Sequence, residues 1–277
     1  LRQTADGLPS VVVTFDRHPL TVVAPEAAPR LLTSLQQRIE LFDSHGVDVV
    51  AILAFKEIRN LQAEEFVKEV IAGTFSARSV AVGTDFRFGR DRTGDLELLE
   101  ALGPGLGFGL LRVPLLEDGG QPISSTAIRI MVAAGRVEEA SRALGRPFEL
   151  RGKVVPGEGR GHALGFPTAN LELDQSLLIP GRGVYAAWSG VDGTHPAAVN
   201  IGVRPTFGGA SEVVEVHILD FEGDLYGQEL RLRFQSRIRD ERAFGEVDEL
   251  LTQLHLDLAE TRKRLDRRSP TEQWYTP

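Results

Sequence analysis

The sequence predicts two domains of different classes, an N-terminal α/β domain with a parallel sheet and a C-terminal antiparallel β domain that ends in a helix. The chain of 277 residues is long enough for two domains of roughly 150 residues each. Before residue 148, apolar runs alternate with segments of helical periodicity, which is typical of βαβ units. After it, short alternating strands are separated by Gly, Pro and Asn, which favours a barrel or a sandwich. We therefore expect domains at 1–147 and 148–277.

The first half contains four predicted strands, each a short apolar run. A T-x-x-Q capping box at Thr33 and Gln36 predicts the start of the first helix, which ends at Gly46. The strands are predicted at 11–15, 47–55, 79–82 and 109–115, and further helices at 66–73, 95–102, 125–134 and 137–144. This order of elements indicates a parallel sheet with helices on both faces.

The second half contains shorter strands whose apolar residues alternate with polar ones. These strands are predicted at 149–155, 184–189, 197–201, 212–219 and 230–236. Leucines at helical spacing from Val247 onward predict one long amphipathic helix. We expect this helix to pack on the β domain.

Composition excludes several classes of function. The formal charge of −8 disfavours general attraction to nucleic acid or anionic membranes. The absence of cysteine excludes disulfides, zinc–thiolate sites and cysteine nucleophiles. No apolar run approaches the roughly 18 residues of a membrane span. We therefore expect a cytoplasmic protein without nucleic-acid or membrane partners.

The densest group of candidate functional residues is a glycine-rich loop. Glycines let backbone N–H groups approach phosphate oxygens, and an arginine among them adds a charge-assisted partner. The residues are Gly157, Gly159, Arg160, Gly161 and Gly165. No Gly-Lys-Ser/Thr closes the loop as in a Walker A motif, and Pro167 stands where a dinucleotide fingerprint begins a helix. A phosphate cradle and a flexible turn between strands both remain open.

Thr168 and Asn170 follow this loop on an extended segment. Side chains two residues apart on a strand point to the same side. A hydroxyl and an amide oxygen are hard donors, and Mg²⁺ needs few protein ligands when phosphates supply the others. These residues are therefore candidate ligands of a Mg²⁺ bound to nucleotide phosphates.

The motif G-x-G-R-G-x-x-L-G-F-P-T-A-N-L that spans both groups resembles the riboflavin kinase signature. Further matches follow in order at 200–208, 214–221 and 224–227. The resemblance implies a Greek-key barrel in which Thr168 and Asn170 take the metal and the ATP phosphates. It also implies that Glu215 accepts the proton of the flavin 5′-hydroxyl, whereas a strand glutamate alone is more often a solvated side chain. His217, in phase with Glu215, is expected to be a neighbour rather than a catalyst.

Two motifs in the first half, at 82–89 and 123–129, are similar to those of the Rossmann-like nucleotidyltransferase module of bacterial bifunctional FAD synthetases. The resemblance, which includes the T-F-D-R-H-P run at 14–19, implies nucleotide and flavin binding by eight residues. They are His18, Asp85, Phe86, Phe88, Ser124, Ser125, Thr126 and Arg129. Hydroxyls at a helix start suit an anion, although helix capping explains one of them. The two phenylalanines are either core residues or the wall of a flavin site.

The same family carries an H-x-G-H loop before this region, and none occurs in the 277 residues. Because the chain starts at Leu1 just before the family's second strand, we expect that segment upstream. The resemblance implies phosphorylation of riboflavin to FMN with MgATP, and adenylylation of FMN to FAD with release of pyrophosphate. A riboflavin kinase with an inactive N-terminal domain is one alternative. A non-catalytic flavin-binding or nucleic-acid-binding barrel is another.

Overall fold

The computed structural model describes residues 7–157, 159, 161, 164–191, 194–206 and 209–265, without side-chain detail at 204–206 and 209–211. The chain forms two compact units. One comprises Leu1–Pro29 and Ser34–Ile123, and the other comprises Arg30–Thr33 and Ser124–Pro277. Among the described residues, no helix is long and apolar enough to cross a membrane.

The first unit is built from two parallel strand pairs, as the sequence predicts. Strand β1 (Val11–Phe15) pairs with β2 (Val49–Leu53), and β3 (Ser79–Gly83) pairs with β4 (Gly109–Val113). Helices lie between the strands of each pair in the chain, so each pair is a βαβ unit. The helices are α1 (Leu20–Val23), α2 (Leu35–Ser44), α3 (Phe55–Ile58), α4 (Ala63–Glu65), a π-helix (Phe66–Thr74) and α5 (Leu96–Leu106), followed by a small hairpin of β5 (Glu117–Asp118) and β6 (Gln121–Pro122).

The capping box of α2 lies one residue later than predicted. Ser34 Oγ accepts a hydrogen bond from the Gln37 backbone N at 3.1 Å, and Gln37 Oε1 accepts one from the Ser34 backbone N at 2.8 Å. The prediction of Thr33 and Gln36 is therefore wrong. The sequence offers two overlapping S/T-x-x-Q patterns, and burial of Gln37 selects the second.

The second unit contains a closed six-stranded antiparallel barrel, which confirms the predicted fold class. Around the barrel the strands follow the order β10-β11-β8-β7-β12-β9. Strands β9, β10 and β11 form a meander, and β12 returns beside β9, which is the Greek-key order. The bounds are β7 (Phe148–Val155), β8 (Ala169–Glu172), β9 (Gly183–Ser189), β10 (His195–Thr206), β11 (Gly209–Ile218) and β12 (Glu229–Arg239).

Alternation along the strands separates the barrel interior from its outer wall. The rings of Phe148, Tyr185 and Phe234 fill the interior, with centroid distances of 6.2 Å and 5.4 Å to Phe234. The predicted long helix, α8 (Val247–Leu265), packs along β9, β10 and β12. Polar residues of the outer wall can therefore face this helix across a cavity.

Two helices before the barrel belong to the second unit. They are α6 (Ser125–Ala133) and α7 (Val137–Leu144), and the buried Val137 and Ala140 belong to α7. Glu138 accepts a hydrogen bond from the Arg237 backbone N at 3.1 Å, which ties α7 to β12. The continuous part of the second unit thus begins at Ser124, whereas the domain boundary at 147/148 stays a prediction.

Candidate functional site

A cavity of about 640 Å³ lies on the outer wall of the barrel, beside α8. It contains five of the residues that the sequence singled out for one site, and they lie on three different segments of the chain. They are Gly159, Gly161, Thr168, Asn170 and Glu215. The predicted phosphate, metal and base residues therefore converge on one cavity.

Three of the polar cavity residues form a row across neighbouring strands. Asn170 on β8 pairs in register with Glu215 on β11, which pairs in register with Asn200 on β10. Residues directly opposite each other in an antiparallel ladder lie on the same face, with Cβ atoms about 5 Å apart. The row therefore presents two amides and one carboxylate to the same end of the cavity.

The glycine loop approaches these side chains closely. A Cβ atom at Gly157 would overlap the Asn170 amide, and one at Gly161 would lie 3.1 Å from Thr168 Oγ1 and overlap the Phe166 carbonyl. Gly159 instead has a φ of 72°, a conformation that side-chain-bearing residues rarely adopt. Gly165 shares this property with a φ of 82°, while Arg160 lies outside the described residues.

A buried ion pair joins the end of β12 to α8. Asp257 Oδ2 accepts hydrogen bonds from Arg239 Nη2 at 2.7 Å and Nε at 3.1 Å, and Oδ1 accepts one from Nε at 3.0 Å. Gln253 Nε2 donates a further bond to Oδ1 at 2.8 Å. The Asp257 side chain is only 5% exposed, so the pair holds the helix against the barrel with little solvent screening.

The loop between β12 and α8 forms the adjoining part of the cavity wall. The Phe244 ring lies beneath the guanidinium groups of Arg239 and Arg242, at 5.8 Å and 4.5 Å. Arg242 also forms an ion pair with Glu249 at 3.3 Å. These contacts fix the loop, whose Glu241 carboxylate lies against Gly202 of β10.

The rest of the cavity is mainly apolar. Its lining includes Leu250, Leu254 and Leu258 of α8, with Val184 and Val213 of the barrel. A polar row at one end and aliphatic side chains elsewhere suit a ligand with an apolar ring and a polar tail.

The donor set also fits a divalent cation carried by a phosphate ligand. Within the described residues, no three His, Cys, Asp or Glu side chains are grouped as a metal site. A cation beside Asn170 would therefore rely on the side-chain oxygens of Thr168 and Asn170 together with phosphate oxygens. Mg²⁺ accepts such a combination because it keeps few protein ligands when phosphates are present.

Four of the remaining candidates lie in the first unit. His18 Nδ1 accepts a hydrogen bond from the Leu20 backbone N at 3.2 Å, and Asp85 is exposed. Phe86 is half-buried and stacks on Phe88 at 5.5 Å. Phe88 is only 6% exposed and belongs to the hydrophobic core. It is therefore a core residue, which is one of the two alternatives given for it above.

The other four candidates lie at the start of α6 in the second unit. Ser124 is the N-cap of this helix, and its Oγ accepts a hydrogen bond from the Ala127 backbone N at 3.1 Å. Ser125 and Thr126 are exposed, while Arg129 Nε donates to the Arg30 carbonyl at 2.8 Å. Capping therefore accounts for Ser124, and the exposed hydroxyls leave the anion role as a prediction.

Sequence reasoning missed several cavity residues. Asn200 lies inside a recognised motif, two residues before Gly202 on the same strand. Side chains two residues apart on a strand share a face, so this spacing could have placed both residues on the cavity face. Arg239 and Asp257 gave no signal, because charged residues on a strand end and on an amphipathic helix are usually solvated. Only the packing of α8 brings them together.

Comparisons with known proteins cover both units of the chain. The family model described as riboflavin kinase matches residues 144–265, and the one described as FAD synthetase matches residues 1–127. A bifunctional riboflavin kinase/FMN adenylyltransferase from Pseudomonas fluorescens is 39% identical over 259 residues, 92% of this chain and 83% of the relative. The Bacillus subtilis protein of the same name is 34% identical over 260 residues, 92% of this chain and 82% of the relative.

The fold of the whole chain also has a solved counterpart. A structure described as a macrolide-efflux protein from Streptococcus pneumoniae matches with a TM-score of 0.85 and 34% sequence identity. The match covers 93% of this chain and 84% of the other. The likeness therefore extends over both compact units.

Proposed function

The chain belongs to the bifunctional riboflavin kinase/FMN adenylyltransferase family, and from this premise we propose how its residues perform the two reactions. The riboflavin kinase domain transfers a phosphoryl group from ATP to riboflavin, giving FMN and ADP. The FAD synthetase domain transfers AMP from ATP to FMN, giving FAD and pyrophosphate. The observation that carries our assignment of the kinase site is the row of Asn170, Glu215 and Asn200 in one cavity with Thr168.

Glu215 is the proton acceptor of the kinase reaction in this proposal. The ribityl 5′-oxygen of riboflavin forms a bond to the γ-phosphorus of ATP, and the bond from that phosphorus to the β–γ bridging oxygen breaks. The hydroxyl proton passes to the Glu215 carboxylate, and ADP leaves. Phosphoryl transfer depends mainly on positioning and charge neutralisation, so one carboxylate at the polar end is sufficient.

Thr168 and Asn170 would hold Mg²⁺ together with the phosphates of ATP. The bound cation supplies neutralisation of phosphate charge. Asn170 is held by pairing with Glu215 on one side and with Val155 on the other, so its amide is directed by the sheet. The loop backbone lies directly against this amide because Gly157 has no Cβ, which would overlap it, and in this proposal backbone N–H groups of the glycine loop bind the phosphate oxygens. The apolar side chains of α8 would then receive the isoalloxazine ring.

For the adenylyltransferase reaction, we propose roles for the exposed Ser125, Thr126 and Asp85 in binding nucleotide or flavin. Helix starts present unpaired backbone N–H groups, which favour phosphate oxygens. We further propose a cytoplasmic location with small-molecule substrates and without nucleic-acid, membrane or obligatory protein partners. The net charge of −8 supports the absence of a nucleic-acid partner.

A matched pair of glutamate variants tests the proton acceptor. Glu215→Gln keeps size and shape but removes basicity, so kcat for FMN formation should fall by about 10² to 10⁴-fold with little change in riboflavin affinity. Glu212→Gln changes an exposed residue of the same strand and should retain activity. A raised KM with unchanged kcat in Glu215→Gln would assign the residue to binding.

The same assay tests the ligand residues and the alternatives. Thr168→Ala and Asn170→Ala should each lose most FMN formation, whereas Thr252→Ala, at an exposed position of α8, should not. Chromatography of flavins after incubation with riboflavin and MgATP separates the functions. FMN formation would support the kinase assignment, and neither product would favour a flavin-binding barrel.

A further inference from the structure

We propose that His217 is a positioning residue of the kinase reaction, because its imidazole orients the peptide that carries Thr168 into the cavity. The proposal rests on the proposed function, in which Thr168 binds the metal and the nucleotide. His217 itself lines the cavity, on the same face of β11 as Glu215.

Thr168 lies just outside the strand that holds Asn170. Strand β8 begins at Ala169, and its pairing with β11 runs from Leu171 with Val214 to Ala169 with Val216. Continuing this register by one residue would place His217 opposite Thr168. The ladder therefore holds Asn170, while Thr168 follows a segment that needs another restraint.

The His217 side chain supplies this restraint. Its Nδ1 lies 2.8 Å from the carbonyl oxygen of Pro167. A carbonyl oxygen only accepts hydrogen bonds, so Nδ1 carries the proton and donates it. This bond joins β11 to the residue immediately before Thr168.

Proline makes this bond unusually effective as a restraint. The pyrrolidine ring of Pro167 fixes φ near −65°, so ψ is its one free backbone torsion. The direction of the Pro167 carbonyl depends on ψ, and the bond from His217 selects that direction. Since the next peptide plane is then set, the backbone N and Cα of Thr168 are placed relative to β11.

The imidazole is itself held by an aromatic neighbour. The Phe166 ring meets it edge-on, at a centroid distance of 6.1 Å and an interplanar angle of 61°. The same ring meets His255 of α8 at 5.0 Å and 84°. The segment 166–168 is thus fastened at two consecutive residues, and strand β11 positions both Glu215 and Thr168.

Two substitutions at one site separate hydrogen bonding from packing. His217→Asn gives up part of the imidazole volume but keeps an amide N–H near the position of Nδ1, whereas His217→Leu fills the space without a donor. We expect His217→Leu to lower kcat for FMN formation by about 10- to 100-fold with riboflavin KM nearly unchanged. His217→Asn should recover activity to within about threefold of the natural protein.

His195→Leu is the matched control. His195 lies on β10 of the same barrel, packs edge-on against Phe221 at 5.5 Å and is not among the described cavity-lining residues. It should keep the natural kcat. Equal damage by His217→Asn and His217→Leu, or natural kcat in His217→Leu, would overturn the proposal.

A double-mutant cycle with Thr168→Ala tests whether His217 acts through Thr168. If it does, His217→Leu should cause little further loss in a Thr168→Ala background. Fully additive losses, with Thr168→Ala impaired, would overturn the role of His217 and leave the ligand assignment standing. Natural activity in Thr168→Ala would instead overturn the ligand assignment and, with it, this proposal.

A measurement independent of activity completes the test. In ¹⁵N-histidine-labelled protein without nucleotide, the His217 ring should show a protonated Nδ1, assigned by loss of its signals in His217→Asn. An unprotonated Nδ1 would overturn the proposed hydrogen bond.

Discussion

Removal of the Arg239 side chain is expected to destabilise the barrel much more than removal of an arginine from an exposed ion pair. Arg239 and Asp257 are 20% and 5% exposed in their side chains, and three donor–acceptor contacts of 2.7–3.1 Å join them. Arg239→Ala would leave a buried carboxylate that has lost its cationic partner and keeps the hydrogen bond from Gln253 at 2.8 Å. Breaking a buried pair from one side costs about 3–5 kcal/mol.

An exposed ion pair of similar geometry provides the control. Arg262 of α8 meets Asp220 through both of its terminal nitrogens, at 2.5 Å and 2.7 Å, but their side chains are 52% and 67% exposed. Solvent screening leaves such exposed pairs with little net stabilisation. Arg262→Ala should therefore leave the stability of the barrel almost unchanged.

Thermal unfolding followed by tryptophan fluorescence measures both effects. Trp188 is buried in the barrel, and a Trp274→Phe background makes it the sole tryptophan of the chain. At about 2–4 °C per kcal/mol for a unit of this size, Arg239→Ala should lower Tm by roughly 6–20 °C and Arg262→Ala by a few degrees at most. Because α8 forms a cavity wall, Arg239→Ala should also raise the riboflavin KM. Equal Tm changes in the two variants would refute the reasoning from burial.

Three further predictions concern the loop, the pH response and the domain boundary. Gly157→Ala should displace the Asn170 amide and lower FMN formation by about 100-fold in a folded barrel. Gly245→Ala, which has open space around it, should keep FMN formation. Natural activity in Gly157→Ala would contradict the close approach of the loop to Asn170. Burial by itself raises the pKa of Glu149, but hydrogen bonds from Arg233 and Arg151 outweigh it and hold this pKa below its ordinary value of 4.5. The stabilisation is therefore present above pH 4.5 and is lost as the pH falls through the folded-state pKa, so Tm measured against pH should decline less steeply below pH 4.5 in Glu149→Gln than in the natural protein. A fragment 148–277 should form FMN, but its Tm should be lower than that of a fragment 124–277 because it lacks the buried Val137 and Ala140. Equal Tm values would show that α7 does not stabilise the barrel.

Local sequence was sufficient for the class of each half and for the candidate metal ligands, whereas the role of Glu215 is implied only by the family resemblance. Thr168 and Asn170 are hard oxygen donors two residues apart on an extended segment, so their shared direction follows from strand geometry. Glu215 and His217 have the same spacing on β11. Residue type and a period of two are local properties, which is why they could be predicted without a structure.

Strand β8 shows where local reasoning ends. It has four residues, Ala169–Glu172, and its predicted role was that of an extended segment after a loop. Its identity as a strand comes from pairing with β7 on one side and β11 on the other. Such pairing depends on residues far apart in the chain, so a run of four residues carries too little pattern to predict it.

Residue types, alternation and motif order already show which donor groups this protein carries, which strand faces they share and which family it resembles. The tertiary structure alone decided that Asn170, Glu215 and Asn200 stand in one row, and that Arg239 meets Asp257 across the cavity wall. It also decided that Phe88 packs in the core. The physical reason is that register, barrel closure and helix docking are set by the summed burial of many distant side chains, whereas propensity and alternation act between near neighbours in the chain.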